Sequence, residues 1–471
     1  MILTVVFTTL VLLAPPAQSA STVSTCYGYA EVNVSSVPAY IVVYSWQDSS
    51  LTLYLEKEGG VVDEYIIPSS SVLAIPVGEA GVYYLRIPGV CGESLNISYT
   101  VKEKGLPMGV ASYPASVIYT EMITGFFNIT EIEVFNPNAT RAEEMYGASL
   151  QLNAFIEVEL EDGRIQYYWV QNVAVFVTSK RLTAFSVNIW NATSQPSRLD
   201  PTAINGRGRV QGSAWSYYAY ITKPQVYSTP FAGNLTIRVY SNVSDVRVDF
   251  GYMLAQNGSL IQQPTAWFDS VAITPPLGVP VKRAGVVATM TYTSSAGYPL
   301  NVELVFGGYC CSLTASFTRL NAQLAIAYWD GVEYRVFPGK YNFGLNTAEA
   351  CSNVQAVRGD GFVRVTTGVL NPEPIDAPPA TLTRVVTATR TVTLRETATI
   401  TVTLTQPVTT TVSATITETA TRTVTETTTS TVTEVSFKTT TVGEVNYAFS
   451  AVVGVIAAVV LTIILYYTTR R

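Results

Sequence analysis

Short runs of β-branched and aromatic residues, broken by Pro and Gly, recur along most of this chain. Within residues 21–104 they are Ala39-Tyr-Ile-Val-Val-Tyr-Ser-Trp46, Leu51-Thr-Leu-Tyr-Leu55, the stretch from Val61 to Ile67, and Gly81-Val-Tyr-Tyr-Leu-Arg-Ile87. Tyr167-Tyr-Trp-Val-Gln-Asn-Val-Ala-Val-Phe-Val177 and Asn301-Val-Glu-Leu-Val-Phe306 continue the pattern. Such residues suit the pleated, half-buried surface of a strand, and the turn residues between them interrupt any helix. Long amphipathic helical patterns are scarce. The expected fold is all-β: a small N-terminal β domain over residues 21–104, then a β-sandwich or jelly-roll-like main domain over 105–370, long enough for one sizeable core.

The two ends read differently. Ile2 to Leu13 is apolar and is followed by Ala14-Pro-Pro-Ala-Gln-Ser-Ala20, so residues 1–20 are expected to be a secretory signal peptide. Residues 371–446 open with Asn371-Pro-Glu-Pro-Ile-Asp-Ala-Pro-Pro379 and continue as threonine alternating with Val, Leu, Ile or Glu. With no second face to bury, this stretch is expected to be a disordered, solvated stalk. Tyr447 to Tyr467 is uncharged and long enough to cross a bilayer core of roughly 30 Å as one helix. Tyr466 and Tyr467 suit the interface, and Arg470-Arg471 in the tail 468–471 suit the cytoplasmic side. The implied topology is an ectodomain on the cell surface, anchored in the cell membrane by a single pass.

The 471 residues include no histidine. That removes Ser-His-Asp triads, Cys-His pairs and histidine metal ligands, and in an enzyme it makes carboxyl groups the first acid–base candidates among those that remain. No cluster has metal-ligand spacing, and neither metal nor cofactor is expected. A net charge of −6 with 13% charged residues and no basic patch argues against a nucleic-acid partner. Eight Asn-x-Ser/Thr sequons, at Asn33, Asn96, Asn128, Asn138, Asn191, Asn234, Asn242 and Asn257, all precede the stalk, as expected of a surface glycoprotein. So do the five cysteines. Cys26 and Cys91 bracket the N-terminal segment. Cys351 is expected to pair with Cys310 or Cys311, leaving one thiol over.

Six segments of the main domain can be read in order: Pro107-Met-Gly-Val-Ala-Ser-Tyr113, Glu121-Met-Ile-Thr-Gly-Phe-Phe-Asn-Ile129, Tyr168-Trp-Val-Gln-Asn-Val173, Asn188-Ile-Trp-Asn-Ala-Thr193, Glu303-Leu-Val-Phe-Gly-Gly308 and Tyr341-Asn-Phe-Gly-Leu-Asn-Thr-Ala-Glu-Ala350. The series resembles the thermopsin family of archaeal acid endopeptidases over about residues 105–358, outside the N-terminal segment, stalk and anchor. The resemblance implies a secreted or surface protease, with proteins or peptides as substrates, acting in acid and at high temperature. Relatives often carry aspartate where this chain has Asn172, Asn301 and Asn346.

An acid protease without metal or histidine needs two carboxyl groups, or one carboxyl and a strong polar partner such as glutamine. Glu303 is the first candidate. It is mid-strand, with Asn301 and Val305 on its face and Val302, Leu304 and Phe306 on the other. Gly307-Gly308 would let a peptide backbone approach. The competing reading is a glutamate on the solvent face of a strand. Glu349 is the second; Asn346-Thr-Ala-Glu349 also fits a capping box opening a short helix. A disulfide from Cys351 would draw Glu349 toward the end of the Glu303 strand. Gln171, sharing a face with Trp169 and Val173, is the candidate amide. Glu121 and Asp269 lie in other segments that match the family and complete the candidates. The expected function is a membrane-anchored acid endopeptidase hydrolysing peptides by carboxyl-assisted attack of water. The alternative is a non-catalytic surface-layer or adhesive glycoprotein with the same fold.

Overall fold

The structure, a computed structural model, describes residues 27–57, 60–88, 97–256, 266–275, 279–310, 312–376, 381–393, 400–403, 413–416 and 423–434. The expected signal peptide, membrane segment and tail lie outside these residues. So do Cys26, Cys91, Cys311 and the sequons at Asn96 and Asn257. Among the described residues no helix is long and apolar enough to cross a membrane.

The described chain is almost entirely β, with one four-residue helix at Ala142–Met145 and a 3-10 turn at Thr178–Lys180. The N-terminal runs form two small antiparallel sheets. One places strands Tyr27–Val34, Gly81–Pro88, Leu51–Lys57 and Gly60–Ile67 side by side; the other orders Ser71–Val77, Ala39–Ser45 and Ile97–Glu103. Ile41, Val43, Leu53, Leu55, Ile75 and Leu85 pack between them. All seven residues of Ala39–Ser45 are buried. Ile41 and Val43 face this small core, whereas Tyr40, Val42 and Tyr44 join the core of the main domain. The N-terminal sandwich therefore has a second apolar face, which the main domain covers.

Two large sheets build the main domain. In one, Phe231–Ser241, Met122–Val134, Thr314–Trp329 and Val363–Thr367 lie side by side. In the other, Tyr217–Ile221, Leu182–Asn191, Ile165–Val177, Gly147–Leu160, Val302–Gly308, Met108–Ser112 and Lys340–Phe343 follow one another, all antiparallel. Ile123, Phe127 and Leu235 of the first pack with Leu152, Val170, Val187 and Leu304 of the second. Strand alternation decides which side of each run enters this core. Asn172 lies on the inner side of its strand, where Nδ2 donates to the carbonyls of Thr236 (3.0 Å) and Gly251 (2.8 Å) in the opposite sheet. It is a bridge between sheets, with both acceptors on the far side of the core.

Two expectations are corrected here. The threonine-rich region is not wholly an unstructured spacer: Thr381–Thr393 pairs with Thr423–Glu434 and with the edge of Gly60–Ile67, and Ile400–Thr403 pairs with Ser413–Ile416. Alternating β-branched residues favour extended backbone, and an open sheet edge supplies hydrogen-bond partners. Secondly, Cys351 does not pair with Cys310 or Cys311. It is a buried free thiol whose Sγ–H donates to the Phe306 carbonyl at 3.0 Å. Cys310 is disulfide-bonded to a partner outside the described residues. Burial pushes the Cys351 thiol well above its usual range. Cys351 should therefore resist a thiol reagent in the folded protein and react on denaturation, which a titration with a chromogenic disulfide checks.

Candidate active site

One cross-strand row carries the polar residues of the second large sheet. Asn188 lies opposite Gln171, Gln171 opposite Asn153, and Asn153 opposite Glu303, so four adjacent strands each contribute one polar side chain to the same outer face. Neighbouring strands are about 4.8 Å apart, which puts the Glu303 and Gln171 backbones roughly 10 Å from each other with Asn153 between. The next row on one side is aromatic, with Tyr217, Trp190, Trp169 and Phe155 in register. Trp169 and Trp190 stack with ring centroids 4.3 Å apart, and Trp190 and Tyr217 at 5.4 Å. On the other side Gln151 and Ser186 flank Val173.

Hydrogen bonds join the row. Gln171 Nε2 donates to Gln151 Oε1 at 3.0 Å, Gln151 Nε2 to Ser149 Oγ at 2.8 Å, and Asn188 Nδ2 reaches Gln171 Oε1 at 3.5 Å. Asn153 Nδ2 donates to Glu303 Oε1 at 2.8 Å. The other carboxylate oxygen, Oε2, accepts from the Leu345 amide at 2.7 Å and from Asn301 Nδ2 at 3.2 Å; the Asn346 amide spans both oxygens at 3.1 and 3.2 Å. The segment after Gly344 thus anchors both oxygens of Glu303, and Oε1 also faces the row through Asn153. A Cβ on Gly344 would lie 2.5 Å from Oε2, so only glycine admits the backbone so close to the carboxylate.

Glu303 is 0% exposed, which overturns the solvent-face reading of this strand position. Burial raises its carboxyl above the ordinary glutamate range, while the donors from Asn153, Leu345 and Asn346 and the charge of Lys102 pull it back in part. Gln171 and Asn188 keep 4% and 5% exposure, so the row opens slightly at the end away from Glu303.

Residues 344–349 form an irregular segment, and the expected capping box is absent. The Asn346 amide is taken by Glu303, and Asn346 Nδ2 donates to Asn301 Oδ1. Glu349 accepts instead from Thr347 Oγ1. It reaches the end of the Glu303 strand without a disulfide: a Cβ on Gly307 would meet Glu349 Cβ at 2.8 Å and Gln151 Nε2 at 3.4 Å. Gly308 is closed by the Leu313 carbonyl, 2.0 Å from where its Cβ would lie. The two glycines therefore make room for the chain's own segments, where a peptide backbone had been expected.

Two candidates lie elsewhere. Glu121 is exposed in the turn before Met122, and its carbonyl accepts the Val239 amide at 2.7 Å. Asp269 is buried in the opposite sheet, accepting from the Tyr218 hydroxyl at 2.7 Å and from the Arg207 and Ser270 amides at 3.0 Å each. It ties the loop before Gly208 to the sandwich. Asp269→Ala should lower stability by about 2–4 kcal/mol by orphaning buried donors, read by thermal unfolding.

Asn153, Gln151, Asn188 and Ser186 were missed in the sequence. Their signal was polar alternation inside apolar runs, as in Leu150-Gln-Leu-Asn-Ala154. Glu157 was missed as well. It is buried on the same face beyond Phe155, with the hydroxyls of Tyr167 (3.2 Å) and Tyr292 (3.0 Å) and with Arg283 at 3.4 Å.

A buried carboxyl stands at the head of a row of amides on one face of an all-β sandwich, which makes this a carboxyl–amide site. The chain belongs to the Thermopsin family, whose model matches residues 93–354. Thermopsin of Sulfolobus acidocaldarius is 28% identical over 319 residues, covering 64% of this chain and 93% of that protein. Among solved structures, scytalido-glutamic peptidase with a transition state analog inhibitor is similar at a TM-score of 0.25 and 7% identity, over 56% of this chain and 98% of that one.

Proposed function

We propose that this protein is an acid endopeptidase held at the cell surface, in which Glu303 is the acid–base group and Gln171 the amide that polarises the substrate. The observation that carries the reading is the single row Asn188–Gln171–Asn153–Glu303 on one sheet face. A water between Oε1 of Glu303 and the peptide loses a proton to Oε1 as its oxygen bonds the scissile carbonyl carbon. The Gln171 Nε2–H group then stabilises the negative oxygen that forms. When the C–N bond breaks, Oε1 returns the proton to the leaving amine. The aromatic row beside the amides suits apolar side chains flanking the cleaved bond. Glu349, next to Gln151, is the second carboxyl within reach of the bound peptide.

The export signal, the anchor over 447–467 and glycosylation complete the proposed setting, with a surface layer as neighbour. Asn33, Asn128, Asn138 and Asn242 are exposed sequon sites, whereas Asn234 is buried in its strand and accepts from Thr236 Oγ1. Glycan is therefore expected at the former and not at the latter.

The test is hydrolysis of a denatured protein by residues 21–376, from strong acid to neutrality at elevated temperature. Cleavage in acid that survives metal chelation supports the peptidase. A correctly folded protein that cleaves nothing leaves the non-catalytic surface glycoprotein.

A further inference from the structure

Behind the row, on the far side of the segment that anchors Glu303, stands a lysine from the N-terminal sandwich. Lys102, in strand Ile97–Glu103, is 0% exposed, and its Nζ donates to the Thr347 carbonyl at 2.6 Å. The same short segment thus turns two N–H groups, of Leu345 and Asn346, toward the Glu303 carboxylate and a carbonyl toward the ammonium. A buried ammonium and a buried carboxylate bracket the peptide groups between them. Each charge lowers the cost of burying the other through aligned backbone dipoles.

The segment cannot shift alone. Residues 341–350 are all buried, and the Tyr341 hydroxyl accepts the Val72 amide of the N-terminal sandwich at 3.2 Å. Strand Ile97–Glu103, which carries Lys102, pairs along its whole length with Ala39–Ser45, and Tyr40, Val42 and Tyr44 of that partner lie in the main core. At the junction, Gly105 has φ +114 and a Cβ there would fall 2.2 Å from the Cys351 carbonyl, so the chain enters the main domain in one tight, glycine-dependent path. Cleaving the sandwich away would strip the Lys102 strand of Ala39–Ser45 and bare an apolar face.

We infer that Lys102 is a positioning residue for Glu303, and that the N-terminal sandwich carrying it is a working part of the catalytic unit. The inference rests on Glu303 being the catalytic carboxyl. Tyr44 from Ala39–Ser45 also bears on Glu303, a buried hydroxyl whose own proton is held more tightly because of burial and the Glu303 charge, and Glu349, which accepts from Thr347, ends the anchoring segment. Neither supplies positive charge, so Lys102 is the cation that favours ionised Glu303.

The experiment compares wild type with Lys102→Met and with Lys102→Gln, which keeps a donor for Thr347 while removing the charge. It reads two quantities: the acid limb of the kcat/KM profile, and the carboxyl titration of Glu303 seen by infrared difference against Glu303→Gln. Both should move to higher pH by about one unit in either variant, with kcat falling about tenfold below the limb and KM unchanged; Lys102→Arg should restore part of the loss. Should Lys102→Met fail to fold, the milder Lys102→Gln carries the test. An unmoved limb and titration with only a lower Tm would make Lys102 a structural anchor and overturn the inference. Higher activity in the variants, or activity appearing only after proteolysis between Pro88 and Ile97, would make the sandwich an inhibitory piece and overturn it too. If wild type hydrolyses nothing yet the Glu303 titration still moves, the peptidase reading fails while the influence of Lys102 on Glu303 stands.

Discussion

Glu303→Gln should abolish hydrolysis, lowering kcat/KM by about 10³-fold or more, because it removes the carboxylate that heads the row while keeping its shape. The pH dependence sharpens the expectation. Burial holds the Glu303 carboxyl above the usual glutamate value. A base in this position is ionised only above that raised value, so wild-type kcat/KM should rise with pH through a limb above the unperturbed pKa of about 4.3. The same shift acts on stability with a defined sign. The folded protein binds the Glu303 proton more tightly than the unfolded chain does. The resulting stabilisation is complete below about 4.3 and is lost as pH rises through the folded-state value. In Glu303→Gln that dependence disappears, so unfolding midpoints measured from acid to neutral pH should fall less steeply than in wild type. A variant that keeps wild-type kcat/KM would remove Glu303 from the chemistry.

Gln171→Leu should lower kcat by about 10²–10³-fold with little change in KM, the loss expected when one oxyanion donor is removed. The substitution conserves volume but leaves Gln151 Oε1 and Asn188 Nδ2 each without a partner they now have. Some loss of Tm is therefore expected in any case and does not decide the matter. Gln171→Glu does. Its neutral acid retains an O–H donor and its carboxylate does not, so the variant's profile should gain a descending limb as the new group ionises, a limb that wild type lacks. Equal loss at every pH would mean that Gln171 only braces the sheet.

Asn172, Asn301 and Asn346 separate into two kinds. Asn172 faces the inter-sheet core and holds two backbone carbonyls of the opposite sheet, so it serves the sandwich. Asn301 and Asn346 bond to each other, and Asn301 to Glu303 as well, so they belong to the carboxyl's own shell. Sequence could not tell these apart, because adjacent strand positions such as Gln171 and Asn172 differ only in which face the sheet chooses to bury.

What the sequence determined by itself was local. Period-two alternation of Val, Ile, Tyr and Thr specified strands, placed Glu303 with Asn301 on one face of its strand and Gln171 with Trp169 on one face of another, and the lack of histidine removed imidazole chemistry. Tertiary structure decided everything that depends on which strands become neighbours and in what register. It set Gln171, Asn153 and Glu303 opposite one another although they come from three distant runs. It left Cys351 a free thiol and drew Asn346-Thr-Ala-Glu349 out of its helix start, because the buried Glu303 carboxylate claims the Leu345 and Asn346 amides. And it brought Lys102 to the back of that segment from what read as a separate domain. A strand's face is fixed by its own backbone pleat, but its partners are chosen by long-range burial, and a buried charge takes whichever donors that burial brings within reach.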